Sequence, residues 1–296
     1  MNELVVISGK GGTGKTSLVA ALAVLADDTV LADCDVDAAD LHLVMGPEVK
    51  RQETFVSGHE AVIRQADCTG CGTCLARCRF DAVLRTETEA GPRFRIDPTA
   101  CEGCGVCVRF CPEEAIDFPE CACGEWFISE SRHGPMVHAR LAIGAENSGK
   151  LVTLVRQHAR EVAEARGFDR ILVDGPPGIG CPVIAAITGA SFVVVVTEPT
   201  RSGQHDFERV VGVARHFDVP AAVCVNKWDL NPELADAIEG QARSLGLDVL
   251  GRVRYDEAVT QAQVRGRAVV EVDHSPAADD IRTVWEQVCQ LNQPSK

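Results

Sequence analysis

Four short apolar runs rich in β-branched residues recur along the chain: Leu4–Ile7, Ile171–Val173, Phe192–Thr197 and Ala221–Val225. None of them alternates with polar positions, so each reads as a strand buried on both faces of a parallel sheet. Between them the apolar spacing changes to that of a helix. Lys15–Ala26 follows directly on a glycine-rich loop, Leu151–Arg166 stops before Gly167, and Pro232–Leu245 opens with proline in its first turn. Strands alternating with helices in this way predict a doubly wound, mostly parallel α/β fold.

Between roughly residues 60 and 125 that alternation stops. Two similar cysteine-rich segments, 33 residues apart, take its place, and an internal repeat of this kind marks a separate module. The α/β pattern resumes near His133. The expected organisation is a discontinuous larger domain, residues 1–59 and 126–296, with a small α+β domain over 60–125 inserted at a loop.

Composition narrows the chemistry. With 296 residues and 46% apolar content the chain can build an ordinary packed core. Met1-Asn2-Glu3 runs straight into an apolar strand with no basic leader, and no run is long enough to span a bilayer, so a cytoplasmic protein is expected. Fourteen cysteines in a reducing compartment argue for metal or redox chemistry rather than disulfides, and ten of them lie between Cys68 and Cys123. A formal net charge of −14 offers no footprint for nucleic acid. The segment from Ile281 to Leu291 lacks the Lys/Arg face that a membrane-surface helix needs. Neither nucleic acid nor membrane is an expected partner.

Gly9-Lys10-Gly11-Gly12-Thr13-Gly14-Lys15-Thr16 fits G-x-x-x-x-G-K-[ST], and it lies between a strand and a helix. In that setting the amides of Gly11, Gly12, Thr13 and Gly14 can curl round a phosphate, with Ser17 close behind. Lys15 reaches the β and γ oxygens, and the Thr16 hydroxyl ligates Mg²⁺. Asn226-Lys227-Trp228-Asp229 follows another strand and reads as N-K-x-D. That motif alone leaves ATP and GTP both open; ATP is the expected nucleotide because of the resemblance described next.

The extra lysine in Lys10-Gly-Gly-Thr-Gly-Lys15 resembles the deviant Walker A motif of the MinD/ParA superfamily. Further resemblance lies in Arg132–Arg140, Glu146–Lys150, Asp174-Gly-Pro-Pro-Gly-Ile-Gly-Cys-Pro182 and Thr197–Gly203. The chain is similar over nearly its whole length to those superfamily ATPases that contain an inserted ferredoxin domain. The resemblance implies that Lys10 reaches the partner's phosphates across a nucleotide-bound dimer, of two copies or of this chain with a paralogue. It implies that Asp33 and Asp174 bind Mg²⁺, both through water, and that Asp35 positions the attacking water. The Gly178 amide would sense the γ-phosphate, and Asn226 would face the adenine.

Cys68-x₂-Cys71-x₂-Cys74-x₃-Cys78 and Cys101-x₂-Cys104-x₂-Cys107-x₃-Cys111-Pro are two copies of the bacterial ferredoxin run, in which the fourth cysteine of each reaches the other cluster. One [4Fe–4S] cluster is therefore expected on Cys68, Cys71, Cys74 and Cys111, and a second on Cys101, Cys104, Cys107 and Cys78. Zinc is the alternative occupant. Arg79 stands where the second run has proline. Cys121 and Cys123 are expected on an exposed connection, and Cys34, Cys181, Cys224 and Cys289 in the core.

Two complete sites in one chain suggest an ATP-hydrolysing dimer switch coupled to electron transfer or metallocofactor handling, working with a redox or metallocofactor protein. The alternatives are an assembly scaffold or carrier for iron-sulfur or molybdenum-copper clusters, and a partner-recruiting ATPase whose clusters are only structural.

Overall fold

The computed structural model describes residues 1–142, 144, 145 and 147–291. Glu146, at the start of the Glu146–Lys150 stretch, lies outside the described residues. Contact density divides the chain into two units: Met1–Glu53, Trp126–Arg140 and the chain from Ser148 onward form the first, and Thr54–Glu125 with Leu141–Asn147 the second.

In the first unit β1 (Asn2–Ser8) leads through the glycine loop into α1 (Lys15–Leu25), followed by β2 (Thr29–Asp33) and α2 (Leu41–Met45). The chain leaves along β3 (Glu48–His59) and comes back along β8 (Glu120–Ser131) and β9 (Gly134–Leu141). It continues through α5 (Ser148–Arg166), β10 (Arg170–Pro177), α6 (Cys181–Ile187), β11 (Phe192–Thr197), α7 (Arg201–His216) and β12 (Ala221–Asn226). The remainder is α8 (Pro232–Ser244), β13 (Asp248–Val253), α9 (Glu257–Val264) and α10 (Pro276–Leu291).

The sheet order is β13-β12-β11-β1-β10-β2-β9-β8-β3, and every pair from β13 to β9 is parallel. Leu4–Ile7 and Phe192–Val196 are buried because helices cover both faces of the parallel sheet. On one face Leu18 and Leu22 of α1 pack with Ile281, Val284 and Val288 of α10. Truncating a side chain as enclosed as Leu22 to Ala typically costs about 2–5 kcal/mol. Because β1 has β10 on one side and β11 on the other, the chain order reverses there, and the crevice beyond the carboxyl ends of these strands is where such sheets bind ligands.

The second unit is much smaller. β4 (Val62–Ile63) pairs antiparallel with β7 (Ile116–Asp117), and β5 (Val83–Thr88) forms a hairpin with β6 (Gly91–Ile96). Two single-turn helices, α3 (Thr73–Arg77) and α4 (Val106–Arg109), each start after a left-handed glycine, Gly72 and Gly105. Its core holds Ala61, Ile63, Val83, Phe94 and Ile116, with cysteines making up much of the rest. Arg64 ties the segment together by bonding Asp67, Asp117 and the Glu114 carbonyl.

Candidate nucleotide site and cysteine pockets

Parallel register puts chemistry at one edge of the sheet. Asp174 of β10 lies level with Asp33 of β2 and Val6 of β1, so two carboxylates from adjacent strands stand side by side next to the glycine loop. A cavity of about 430 Å³ opens there. Gly11, Gly12, Thr13, Gly14, Lys15, Thr16, Ser17, Asp35 and Asn226 all line it. Lys10, Asp33, Asp174 and Gly178 are not among its lining residues. The loop is closely fitted: Gly14 has φ 87°, and a Cβ there would collide with the Asn226 amide. Asn226 Nδ2 in turn donates to the Thr13 carbonyl at 2.7 Å, joining the end of β12 to the phosphate loop.

Lys15 is buried between carboxylates, with Nζ 2.6 Å from Asp174 Oδ1 and 3.2 Å from Asp35 Oδ2. Burial alone would lower its pKa, but Asp174 and Asp35 more than offset this and hold it above the ordinary value. Asp33 is fully buried; desolvation, followed by the charge of Asp174, pushes its carboxyl well above the usual range. Both Asp33 oxygens accept backbone N–H bonds, from Asp35 at 3.1 Å and Leu41 at 3.3 Å. Asp174 Oδ2 and Thr13 Oγ1 are buried without a hydrogen-bond partner among the described residues. The open Asp174 oxygen can accept from a hydrated divalent cation, and the Thr13 hydroxyl can donate to a phosphate. The Gly178 N–H donates to the Ser8 carbonyl at 2.8 Å, so sensing a γ-phosphate requires it to give up that bond.

Lys10 does not line the cavity and pairs with Glu198 at 2.7 Å. A further wall of the cavity includes Val253, Arg254, Tyr255, Asp256 and Gln263, which sequence reasoning missed. The available signal was an apolar strand ending at Val253 and then Asp256, which caps α9 by accepting from Ala258 N. Asp229 is absent from the lining; its Oδ1 accepts the Tyr255 N–H at 2.7 Å.

In the second unit one pocket is lined by Cys68, Cys71, Cys74 and Cys111, and another by Cys78, Cys101, Cys104 and Cys107. Each thus collects three thiols of one run and the last thiol of the other. The repeat is visible in the backbone: Gly70 and Gly72 have φ of 74° and 75°, and their counterparts Gly103 and Gly105 have 58° and 70°. At Gly70 a Cβ would lie 2.7 Å from the Pro92 carbonyl oxygen, and at Gly103 one would strike that of His59, so only glycine fits. Ile63, Phe94 and Ile116 wall the first pocket; Val83, Phe80 and Ile96 wall the second. The fourth cysteines emerge just past the helices, not on them, Cys78 after α3 and Cys111 after α4. Among the described residues no three His, Cys, Asp or Glu side chains close on a single metal-ion position.

Two expectations need correction. Cys121 and Cys123 are not on an exposed connection but on β8, where Cys123 is buried and its thiol donates to the Ser57 carbonyl at 2.7 Å. Cys181 is not a core residue: it is exposed at the first position of α6, whereas Cys34 and Cys224 are buried and Cys289 is half-buried.

A glycine loop between a central parallel strand and its helix, beside the carboxylates of neighbouring strands, defines a P-loop nucleotide hydrolase. The comparisons place it more closely. A protein of Methanocaldococcus jannaschii without an assigned function is 34% identical over 77% of this chain and 79% of its own length. The septum site-determining protein MinD of Bacillus subtilis is 25% identical over 97% of this chain and 89% of its own. The solved structure of MinD from Pyrococcus horikoshii, complexed with Mg-ADP, shares the fold with a TM-score of 0.58 and 17% identity, over 98% of this chain and 96% of that one. The profile of the CobQ/CobB/MinD/ParA nucleotide-binding domain matches residues 4–269, and the chain belongs to that family. It is a P-loop ATPase of the MinD/ParA type. No helix among the described residues is long and apolar enough to cross a membrane.

Proposed function

We propose that this ATPase is a MgATP-operated dimer switch coupled to electron transfer or metallocofactor handling, through two [4Fe–4S] clusters held by a ferredoxin-like domain inserted over residues 60–125. The observation that carries the reading is the crosswise lining of the two cysteine pockets. Four thiols and an apolar wall in each suit a cubane cluster, and the left-handed glycines let the loop backbone come close around it. The clusters would supply one-electron chemistry at low potential. The apolar walls restrict water, and the Ala115 N–H donates to Cys111 Sγ at 3.4 Å.

On the nucleotide side Thr16, Asp33 and Asp174 would hold Mg²⁺, the two aspartates through water, since both Asp33 oxygens are already engaged and Asp174 keeps one open. Lys15, which pairs with Asp174 at 2.6 Å, would turn from that carboxylate to the phosphates. Asp35 would orient the attacking water. Lys10 would act on the partner protomer's phosphates, stabilising charge that builds in the transition state. Asn226 and the wall from Val253 to Asp256 would receive adenine, whereas Asp229, which a guanine-selecting site would use, lies outside the cavity lining with Oδ1 already accepting the Tyr255 N–H. The partner at the cluster face would be a redox or metallocofactor protein.

Anaerobic purification and reconstitution with iron and sulfide test the cluster half. About eight irons and eight sulfides per chain, with signals of reduced cubanes after dithionite, are expected. Stoichiometric zinc with no acid-labile sulfide would overturn it. A second reading, in which the clusters only hold the small unit together, is favoured by how few apolar side chains its core contains. Clusters that fold the unit yet accept no electrons between solvent-accessible potentials would decide for that reading.

A further inference from the structure

Glu198 sits just past the end of β11, and its carboxylate holds two lysines, one from the glycine loop and one from the end of β12. Oε1 is 2.7 Å from Lys10 Nζ, and Oε2 is 3.3 Å from Lys227 Nζ. Lys10 is gripped further by the start of α7, where Nζ lies 3.0 Å from Ser202 Oγ and 3.4 Å from Thr200 Oγ1. These hydroxyls are themselves fixed: Thr200 caps α7 by accepting the Gly203 N–H at 2.9 Å. Lys227 also donates to the Gly12 carbonyl of the phosphate loop at 2.9 Å, and it does so from a left-handed backbone, φ 56°, that a lysine seldom adopts. Next to it, Asn226 holds the Thr13 carbonyl.

Burial would raise the Glu198 pKa, but the Lys10 hydrogen bond and the charges of both lysines hold it below the usual carboxylate range. The carboxylate is therefore charged at neutral pH. A charged, mostly enclosed acceptor is what keeps a flexible lysine in one place, since the ammonium otherwise keeps its freedom in water.

We propose that Glu198 is a positioning residue that latches Lys10 within its own protomer, and that this latch must open before Lys10 can cross to a partner. The inference rests on the reading that Lys10 acts in trans. The same carboxylate ties the latch to the residue beside Asn226, so a base entering between Asn226 and the Val253–Asp256 wall disturbs Lys227 and with it the grip on Lys10. Nucleotide binding and dimer formation are thereby coupled through one side chain rather than through contact between base and Lys10. Ser202 and Thr200 set how tightly the latch closes.

The test compares wild type, Glu198→Gln, Ser202→Ala, Lys10→Ala and the double variant Lys10→Ala/Glu198→Gln. Self-association is measured by sedimentation with a slowly hydrolysed ATP analogue, and ADP affinity of the monomer by a fluorescent analogue. Each dimer opens two latches worth roughly threefold apiece, so Glu198→Gln should lower the dissociation constant of the dimer about tenfold. Ser202→Ala should shift it the same way by about twofold to threefold; monomer ADP affinity should rise by at most about threefold in Glu198→Gln, the reciprocal of the latch the nucleotide opens, and stay within about twofold of wild type in Ser202→Ala. In the Lys10→Ala background Glu198→Gln should have no further effect. An unchanged or weakened dimer in Glu198→Gln, or an effect that survives in the double variant, overturns the latch. A Lys10→Ala protein that dimerises and hydrolyses ATP like wild type overturns the trans reading instead, whatever Glu198→Gln does.

Discussion

Replacing Lys15 with Met should damage the nucleotide-free protein as much as its catalysis. The Lys15 ammonium lies 2.6 Å from Asp174 and 3.2 Å from Asp35, and the Lys15 and Asp174 side chains are 6% and 1% exposed. Asp33, fully buried, stands level with Asp174 in the sheet. Met fills nearly the same stem volume, so the packing loss is small. What remains is a pair of buried carboxylates without their cation, and breaking a buried pair from one side costs about 3–5 kcal/mol. That is a large part of the stability of a typical domain. Urea unfolding of the nucleotide-free protein near neutral pH, followed by far-UV circular dichroism, should show this loss. The Lys15→Met/Asp174→Asn double variant should recover much of it, because the uncompensated charge is gone. The deficit should also depend on pH with a definite sign. The Asp33 pKa is raised in the folded state, so its contribution is most favourable below the unfolded carboxylate value of 3.8 and is lost as pH rises through the folded value. The deficit should therefore shrink on acidification. A Lys15→Met protein within about 1 kcal/mol of wild type at neutral pH would show that the buried carboxylates do not depend on this cation.

Three further outcomes are expected. Asp229→Ala should leave the preference for ATP over GTP unchanged in a competition binding assay, because Asp229 is engaged by the Tyr255 amide; a switch of preference would show that it reads the base. Burial, with a smaller effect of nearby His42, lowers the His138 pKa to about 4 from 6.5, so its neutral form supports the fold above pH 6.5 and roughly 3 kcal/mol is lost as pH falls towards 4. An imidazole titration by NMR should find a midpoint below 5, and one near 6.5 would contradict the burial argument. In a Cys104→Ala background, adding Cys111→Ala should remove most of the remaining iron while adding Cys78→Ala removes little; the reverse pattern would refute the crosswise assignment.

The buried parallel strands were legible because a two-sided environment leaves an unbroken apolar run: Leu4–Ile7 lies within β1, and Ala221–Val225 within β12. Lys15–Ala26 and Pro232–Leu245 were readable as helices to within a residue, since a glycine loop and a proline mark their starts. β3 was not legible: of its positions only Phe55 is buried, so it shows no apolar run. Cys121 and Cys123 were misread for a similar reason, since Cys-x-Cys between glutamate and glycine lacks the β-branched signature of a strand. Local motifs exposed the phosphate loop and the cysteine runs because their ligands are close in sequence. Glu198 and Tyr255 were invisible because their roles come from parallel strand ends brought together by the sheet, and no spacing rule reports such contacts.

The proposed communication between nucleotide and cluster states is accessible to one experiment, the MgATP affinity of the anaerobic protein, oxidised and dithionite-reduced, by equilibrium titration. Binding linkage is reciprocal, so a tenfold difference in affinity corresponds to a shift of about 59 mV in a one-electron potential when ATP binds. A difference of at least that order between the two states is expected if the clusters and the nucleotide are coupled; equal affinities would rule the coupling out.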